Sequence, residues 1–157
     1  MRKPRQELWF AVAALATGVA ITWRAVSAYR KRQYLLQRGD ICELHSIWAN
    51  VDGCRIHARV CTATQGATPI VFVHGLGVSA SYFIPTAERL AADFPVYAPD
   101  LPGHGRSDTP LEALSISDLA QALLAWMDAM GIECAILVGQ SMGGQIAVEA
   151  ALQHPSR

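Results

Sequence analysis

Residues 135–153 read AILVGQSMGGQIAVEAALQ, and this stretch decides the fold. Its first four residues are an uninterrupted apolar run, which predicts a strand buried on both faces. A glycine-rich loop follows at 139–144, and 145–153 predict a helix that ends before Pro155. The loop contains Gly139-Gln140-Ser141-Met142-Gly143, which has the spacing G-x-S-x-G. The stretch therefore predicts a serine on a sharp strand-to-helix turn.

The spacing of this motif has a steric cause. On such a turn, the residues two before and two after the serine approach so closely that a Cβ would collide, so Gly139 and Gly143 are glycines. The turn exposes the Ser141 hydroxyl, and the N-terminus of the next helix offers free N–H groups to an oxyanion. Ser141 is therefore our candidate nucleophile. The alternative is a glycine-rich turn with an idle serine.

A second loop is expected at the same edge of the sheet. The apolar run PIVFV ends in His74-Gly75-Leu76-Gly77, and open α/β sheets bind ligands where the carboxyl ends of their parallel strands meet. The backbone N–H of Leu76 is our candidate for a second oxyanion donor beside the N–H of Met142. His74 is expected to shape the loop through hydrogen bonds rather than to act as a base.

Apolar periodicity predicts the other elements of an α/β fold. Strands are expected at 44–49, 54–61 and 95–98, and helices over 81–93 and from Ser117 to Met130. Asp52-Gly53 favours a hairpin turn between the first two strands, and Ser117 and Gly131 are expected to cap the longer helix. Strands separated by helices imply right-handed crossovers and a parallel sheet.

Three motifs, in this order, resemble the serine-nucleophile branch of the α/β-hydrolase superfamily. They are His74-Gly75-Leu76-Gly77, Asp100-Leu101-Pro102-Gly103-His104-Gly105-Arg106-Ser107 and Gly139-Gln140-Ser141-Met142-Gly143-Gly144. The resemblance covers residues 44–157 and implies a mostly parallel sheet with flanking helices. It also implies hydrolysis of ester or related acyl or carbon–carbon bonds in a small-molecule substrate, without a cofactor. Epoxide hydrolases and haloalkane dehalogenases are disfavoured because they place Asp at the position of Ser141.

The chain departs from the family after the nucleophile. Family members place the catalytic acid and His after the serine, whereas sixteen residues follow Ser141 here. Glu149 and His154 lie on the helix behind the serine, and His57 lies in the opening hairpin, so none suits these roles. We expect the front part of a hydrolase, whose strand 135–138 is interior in the family, and we expect this chain alone to be inactive. The alternatives are a non-catalytic interaction module and an inactive truncated product.

The first 38 residues differ in charge from the rest. They hold eight basic residues and one acid. Because the whole chain has a net charge of zero, residues 39–157, the predicted hydrolase domain, carry the compensating negative charge. An uncharged run from Leu8 to Trp23, continued to Tyr29, predicts a membrane anchor over 8–29. A cleaved signal peptide and a buried or amphipathic helix are the alternatives. Five basic residues follow the run and three precede it, which favours a cytoplasmic domain.

Charge and cysteine spacing exclude other classes. Zero net charge argues against a surface for nucleic acid. The four cysteines, at 42, 54, 61 and 134, have no spacing suited to zinc, so no metal is expected. Positions 54 and 61 would point to opposite faces of one strand, which favours buried free thiols over a disulfide between them.

Overall fold

The described part of the chain begins with a β-hairpin. The computed structural model describes residues 43–62 and 66–157, and Val26 alone before them. Strand β1, His45–Val51, pairs antiparallel with β2, Cys54–Cys61. Asp52 and Gly53 join them with φ values of 50° and 81°, as two-residue hairpin turns require. The predicted hairpin is confirmed.

The hairpin continues into a five-stranded sheet with the order β1-β2-β4-β3-β5. The remaining strands are β3, Ile70–Val73; β4, Val96–Pro99; and β5, Ile136–Gly139. Strand β3 runs parallel to both of its neighbours, whereas β2 pairs antiparallel with β4. The predicted α/β fold is confirmed, with a mixed sheet because the hairpin adds antiparallel strands. Val73 pairs with Gly139, which brings the two predicted site loops side by side.

The helices follow the predicted pattern with two corrections. They are a 3-10 helix, Ala80–Phe83, followed by α1, Ile84–Leu90, α2, Ile116–Ala129, and α3, Met142–Gln153. The predicted helix 81–93 is divided because Pro85, which lacks an N–H, lies in the first turn of α1. Ser117 as N-cap is wrong. Ser115 caps α2, since Asp118 three residues later completes a reciprocal capping box with bonds of 2.9 and 3.1 Å.

Both faces of the central strand are buried. Val71 and Val73 face a cluster that includes Trp126 of α2 and Ile146 of α3, all fully enclosed. On the opposite face, Phe72 stacks on Phe83 at a ring distance of 4.8 Å. This two-sided burial explains why β3 is continuously apolar rather than alternating.

The cysteines are only partly as expected. Cys54 and Cys134 are free thiols, as predicted, but their predicted burial is wrong, because Cys54 is half-buried and Cys134 is exposed. Cys61 is disulfide-bonded, and its partner lies outside the described residues. The prediction of a free thiol is therefore wrong for Cys61, because pairing depends on a spatial contact that sequence spacing does not reveal.

The predicted membrane anchor, residues 8–29, lies outside the described residues apart from Val26. Within 43–62 and 66–157, none of the helices combines the length and the apolar character that a membrane crossing needs. The anchor and the predicted boundary between 1–38 and 39–157 therefore stay predictions.

Strand β5 forms one edge of the sheet. It pairs with β3 alone, so its outer side offers N–H and C=O groups without a strand partner in the described part of the chain. Leu137 packs into the core, but Ile136 and Val138 on the other face are 47% and 36% exposed. An unpaired edge beside exposed apolar side chains favours pairing with another chain.

We expect residues 39–157 to self-associate through β5. Ile136→Lys is expected to reduce this association because a charge on an edge strand opposes strand addition. The matched control is Leu111→Lys, which adds the same charge at a fully exposed loop position. Light scattering and sedimentation of the three proteins measure the effect. A monodisperse parent domain, or equal effects of the two variants, would contradict the prediction.

Candidate active site

Ser141 has an unusual backbone between β5 and α3. Its φ and ψ are 53° and −121°, it immediately precedes α3, and it is exposed. For a residue with a side chain, such a conformation costs about 1–3 kcal/mol and persists only where the surroundings impose it. The structure thus places the serine on the sharp turn that the sequence predicts.

Close backbone packing imposes this conformation. A Cβ added to Gly143 would overlap the Val73 carbonyl, and one added to Gly139 would overlap the Gly143 carbonyl. Gly144, by contrast, has room, because its nearest neighbour would be 3.8 Å away. The two glycines of the motif are therefore required by crowding, as the spacing predicts, while the adjacent Gly144 is not.

Hydrogen bonds at the turn leave the N–H of Met142 for an oxyanion. Gln140 donates to the Val73 carbonyl at 3.0 Å, which ties the turn to β3. The N–H groups of Gly143 and Gly144 donate to Gln140 and Ser141 carbonyls, each at 2.9 Å. Met142, the first residue of α3, has no intrahelical partner for its N–H. That group can therefore bind a developing negative charge beside Ser141.

The loop after β3 packs directly against the turn. A Cβ on Gly75 would lie 2.5 Å from Gln140 Oε1, the end of a side chain that can move, and 3.1 and 3.3 Å from the Gln140 carbonyl oxygen and the Ser141 Cβ, so the loop and the turn are in close contact. Gly77 has a φ of 74°, and Leu76 between them is 75% exposed. The loop predicted to supply the second oxyanion donor therefore adjoins the serine, and the donor role of the Leu76 N–H stays a prediction.

His74 is enclosed and fully hydrogen-bonded. Its Nδ1 lies 2.8 Å from the Gly75 carbonyl, and its Nε2 accepts from the Leu101 N–H at 2.9 Å. These contacts require an Nδ1–H tautomer. Burial lowers the pKa of His74, against the opposing effect of the Gly75 carbonyl. The neutral ring joins two loops, and it has no nitrogen left to take a proton from Ser141.

Asp100, the first residue of the second motif, is the polar centre of the neighbouring loop. Its side chain is almost fully buried and accepts from the Ala80 N–H at 2.6 Å, the Arg106 N–H at 2.9 Å and His57 Nδ1 at 2.8 Å. A Cβ on Gly105 would overlap the carboxylate. The glycines at 103 and 105 are the sequence signal from which a loop wrapped around the Asp100 side chain could have been predicted.

In the described part of the chain, no side chain lies within hydrogen-bonding distance of the Ser141 hydroxyl. His57 is bonded through both ring nitrogens, to Asp100 and to Ser46. Glu149 accepts from Ser117 at 3.2 Å and thereby joins α3 to α2. In β2, His57 alternates with apolar Ile56 and Ala58, a pattern that favours a solvent-facing position, yet it is only 3% exposed. Among the described residues, the candidate nucleophile Ser141 therefore has no base in contact with its hydroxyl.

An open cleft of about 660 Å³ borders the loop after β3. Its walls are Gly77, Val78, Ser79, Ser81, Tyr82, Gly103, His104 and Gly105. The cleft lies beside the candidate oxyanion loop and offers space for a small molecule. No group of three or more metal-binding side chains occurs in the ranges that the structure describes.

Comparisons with known proteins match this geometry. A family model for the alpha/beta hydrolase fold matches residues 68–157. Among curated proteins, the acetyltransferase component of the acetoin cleaving system of Cupriavidus necator is 37% identical over 70% of this chain and 29% of its own length. The pimeloyl-[acyl-carrier protein] methyl ester esterase of Edwardsiella ictaluri is 38% identical over 61% of this chain and 35% of its length.

A solved structure extends the likeness. A bacterial membrane phospholipase A, described as a virulence factor, has a TM-score of 0.70 and 25% identity, and the match covers 96% of this chain and 48% of that one. The chain spans less than half the length of these three proteins.

The crowding at the turn predicts opposite effects for adjacent glycines. Gly143→Ala is expected to lower the free energy of unfolding by about 3 kcal/mol, because the new methyl group meets rigid backbone of β3. Gly144→Ala is expected to raise it by about 0.5–1 kcal/mol, since alanine is the better helix former and has room. Urea unfolding of the two variants measures both changes. Similar effects from the two substitutions would contradict the packing described for Gly143.

Proposed function

The chain belongs to the alpha/beta hydrolase fold family, and from this premise we propose that Ser141 is the nucleophile of a serine hydrolase for small acyl or ester-like substrates. The observation that carries the proposal is the strained, exposed backbone of Ser141 at the N-terminus of α3. Strain at an exposed polar residue is characteristic of functional sites. The esterase and phospholipase among the similar proteins support this substrate class.

The reaction begins with attack of Ser141 Oγ on a substrate carbonyl. A bond forms between Oγ and the carbonyl carbon, and the carbonyl oxygen takes the negative charge. In our proposal, the N–H groups of Met142 and Leu76 stabilise that oxygen. The general base that takes the Oγ proton passes it to the leaving alcohol as the bond to that alcohol breaks. Water then attacks the acyl carbonyl, which releases the carboxylic acid and restores the Ser141 hydroxyl.

The general base is proposed to come from outside this chain. The five histidines of the chain all lie in the described ranges, and His57 and His74 use both ring nitrogens elsewhere. A serine hydroxyl without a base is a weak nucleophile. We therefore propose that this chain alone is nearly inactive. The missing base also favours the alternative of a non-catalytic interaction module, which the experiment below separates from a nucleophile that lacks its base.

The leader is proposed to hold the domain at a membrane through residues 8–29. Its uncharged run between basic clusters supports this. The disulfide at Cys61 bears on which side of the membrane the domain occupies. Because disulfides persist mainly in oxidising compartments, we propose that the domain faces such a compartment and not the cytoplasm that the charge asymmetry favours.

The base can be supplied from solution. The purified chain is expected to hydrolyse p-nitrophenyl butyrate only marginally, since losing the His of a triad costs about a millionfold in turnover. Added imidazole is expected to raise fluorophosphonate labelling at Ser141, mapped by mass spectrometry, with Ser141→Ala as the control. Absence of label at Ser141 even with imidazole would favour the non-catalytic module. Strong hydrolysis lost in Ser141→Ala would show that a base lies within the chain.

Membrane attachment is tested by partitioning. The full chain is expected to stay in the membrane pellet after a high-salt wash, because salt does not screen the burial of apolar side chains. A variant without residues 1–38 is the control and is expected to leave the pellet. Protease added to sealed vesicles of known orientation then reports the side of the domain. Recovery of a released protein shortened by about 28 residues would instead indicate a signal peptide.

A further inference from the structure

A second serine of the chain is connected to a histidine and an aspartate. The hydroxyl of Ser46 in β1 lies 3.0 Å from His57 Nε2, and His57 Nδ1 lies 2.8 Å from Asp100 Oδ2. His57 and Asp100 are each 3% exposed, whereas Ser46 is partly exposed. The three side chains therefore form a continuous serine–histidine–aspartate relay on a different part of the sheet from Ser141.

The hydrogen bonds fix the direction of the relay. Asp100 also accepts two backbone N–H groups, so it acts as a carboxylate and takes the Nδ1 hydrogen of His57. The His57 Nε2 is then an acceptor. Ser46 Oγ already accepts from Arg59 Nη1 at 3.1 Å and from Arg106 Nη1 at 3.5 Å, so its own hydrogen is free to bond to Nε2. This is the arrangement in which a histidine removes the proton of an attacking serine.

The surroundings of Ser46 are cationic. In the described part of the chain, neither Arg59 nor Arg106 forms a salt bridge, and the Nε of Arg59 is buried without a hydrogen-bond partner. Trp48 covers His57 with a ring distance of 4.9 Å and limits the access of water to the base. Two guanidinium groups beside a nucleophile suit an electrophile that carries several oxygens and negative charge, as a phosphoryl group does.

From this geometry we propose that Ser46 is a second nucleophile, which accepts phosphoryl groups from activated phosphoryl donors. Ser46 Oγ attacks phosphorus, and its proton passes to His57 Nε2. A bond forms between oxygen and phosphorus, and the bond from phosphorus to the leaving group breaks, with its electron pair leaving on that group. Arg59 and Arg106 bind the phosphoryl oxygens, and Asp100 keeps His57 in the required tautomer.

The test uses the full chain carrying Ser141→Ala, with a fluorophosphonate as the activated phosphorus probe and fluoride as its leaving group. Adducts are mapped by mass spectrometry over time. Ser46 is expected to react about 100-fold faster than Ser79 and Ser81, which are hydrogen-bonded to each other at 2.7 Å and have no histidine partner. Labelling of Ser46 no faster than that of these two serines, or no adduct at Ser46, would overturn the proposal.

Two further variants separate this proposal from the proposed role of Ser141. Ser46→Ala in the parent chain is expected to leave imidazole-dependent labelling of Ser141 unchanged, so either serine can fail without the other. His57→Gln, added to Ser141→Ala, is expected to slow Ser46 labelling about 100-fold. An unchanged rate in a variant with the parent's circular dichroism would overturn the relay. If His57→Gln does not fold, the labelling rate of Ser46 relative to Ser79 and Ser81 still tests whether Ser46 is an activated nucleophile.

Discussion

The buried carboxylate of Asp100 connects more separate segments than any other side chain described above. Through three nitrogen donors it holds His57 of β2, the start of the 3-10 helix at Ala80 and the Arg106 backbone of its own loop. Removing one partner of such a buried, hydrogen-bonded charge typically costs about 3–5 kcal/mol, more than most single contacts supply. The loops that follow β3 and β4 therefore have fixed positions because one charge, which could not be buried alone, requires all of its donors.

The strained backbone of Ser141 is maintained by the same fixed loops, through its contacts with the neighbouring strand β3. The turn around Ser141 is held against Val73 of β3, and His74, the next residue, bonds to the Leu101 N–H beside Asp100. A conformation that costs about 1–3 kcal/mol persists only if its neighbours cannot relax. Strand β5 cannot supply that resistance alone, because its other side has no strand partner among the described residues. The support for the strained turn at Ser141 therefore comes from the interior of the sheet.

The sequence predicts what local patterns determine. The strands, the parallel crossovers and the turn at Ser141 follow from apolar periodicity and from glycine spacing, which depend on residues near in the chain. The burial of His57 does not, because its partner Asp100 lies 43 residues away and changes a nominally polar face into an enclosed one. The cap of α2 was missed for a local reason, since both Ser115 and Ser117 suit an N-cap and only the carboxylate of Asp118 distinguishes them. The pairing of Cys61 has no sequence signal in one chain.

The two serines have complementary surroundings. Ser141 lies beside the free N–H of Met142 and the predicted donor Leu76, with no base in contact among the described side chains, whereas Ser46 contacts His57, which is bonded to Asp100, and the guanidinium group of Arg59. A pair of N–H groups fits the single oxygen of a carbonyl, while two forked cations fit the several oxygens of a phosphoryl group. In our two proposals, this difference in donors is the reason why Ser141 attacks carbonyl carbon and Ser46 attacks phosphorus. Because Asp100 supports the Ser46 relay directly and the Ser141 turn through the neighbouring loop, both depend on one buried carboxylate.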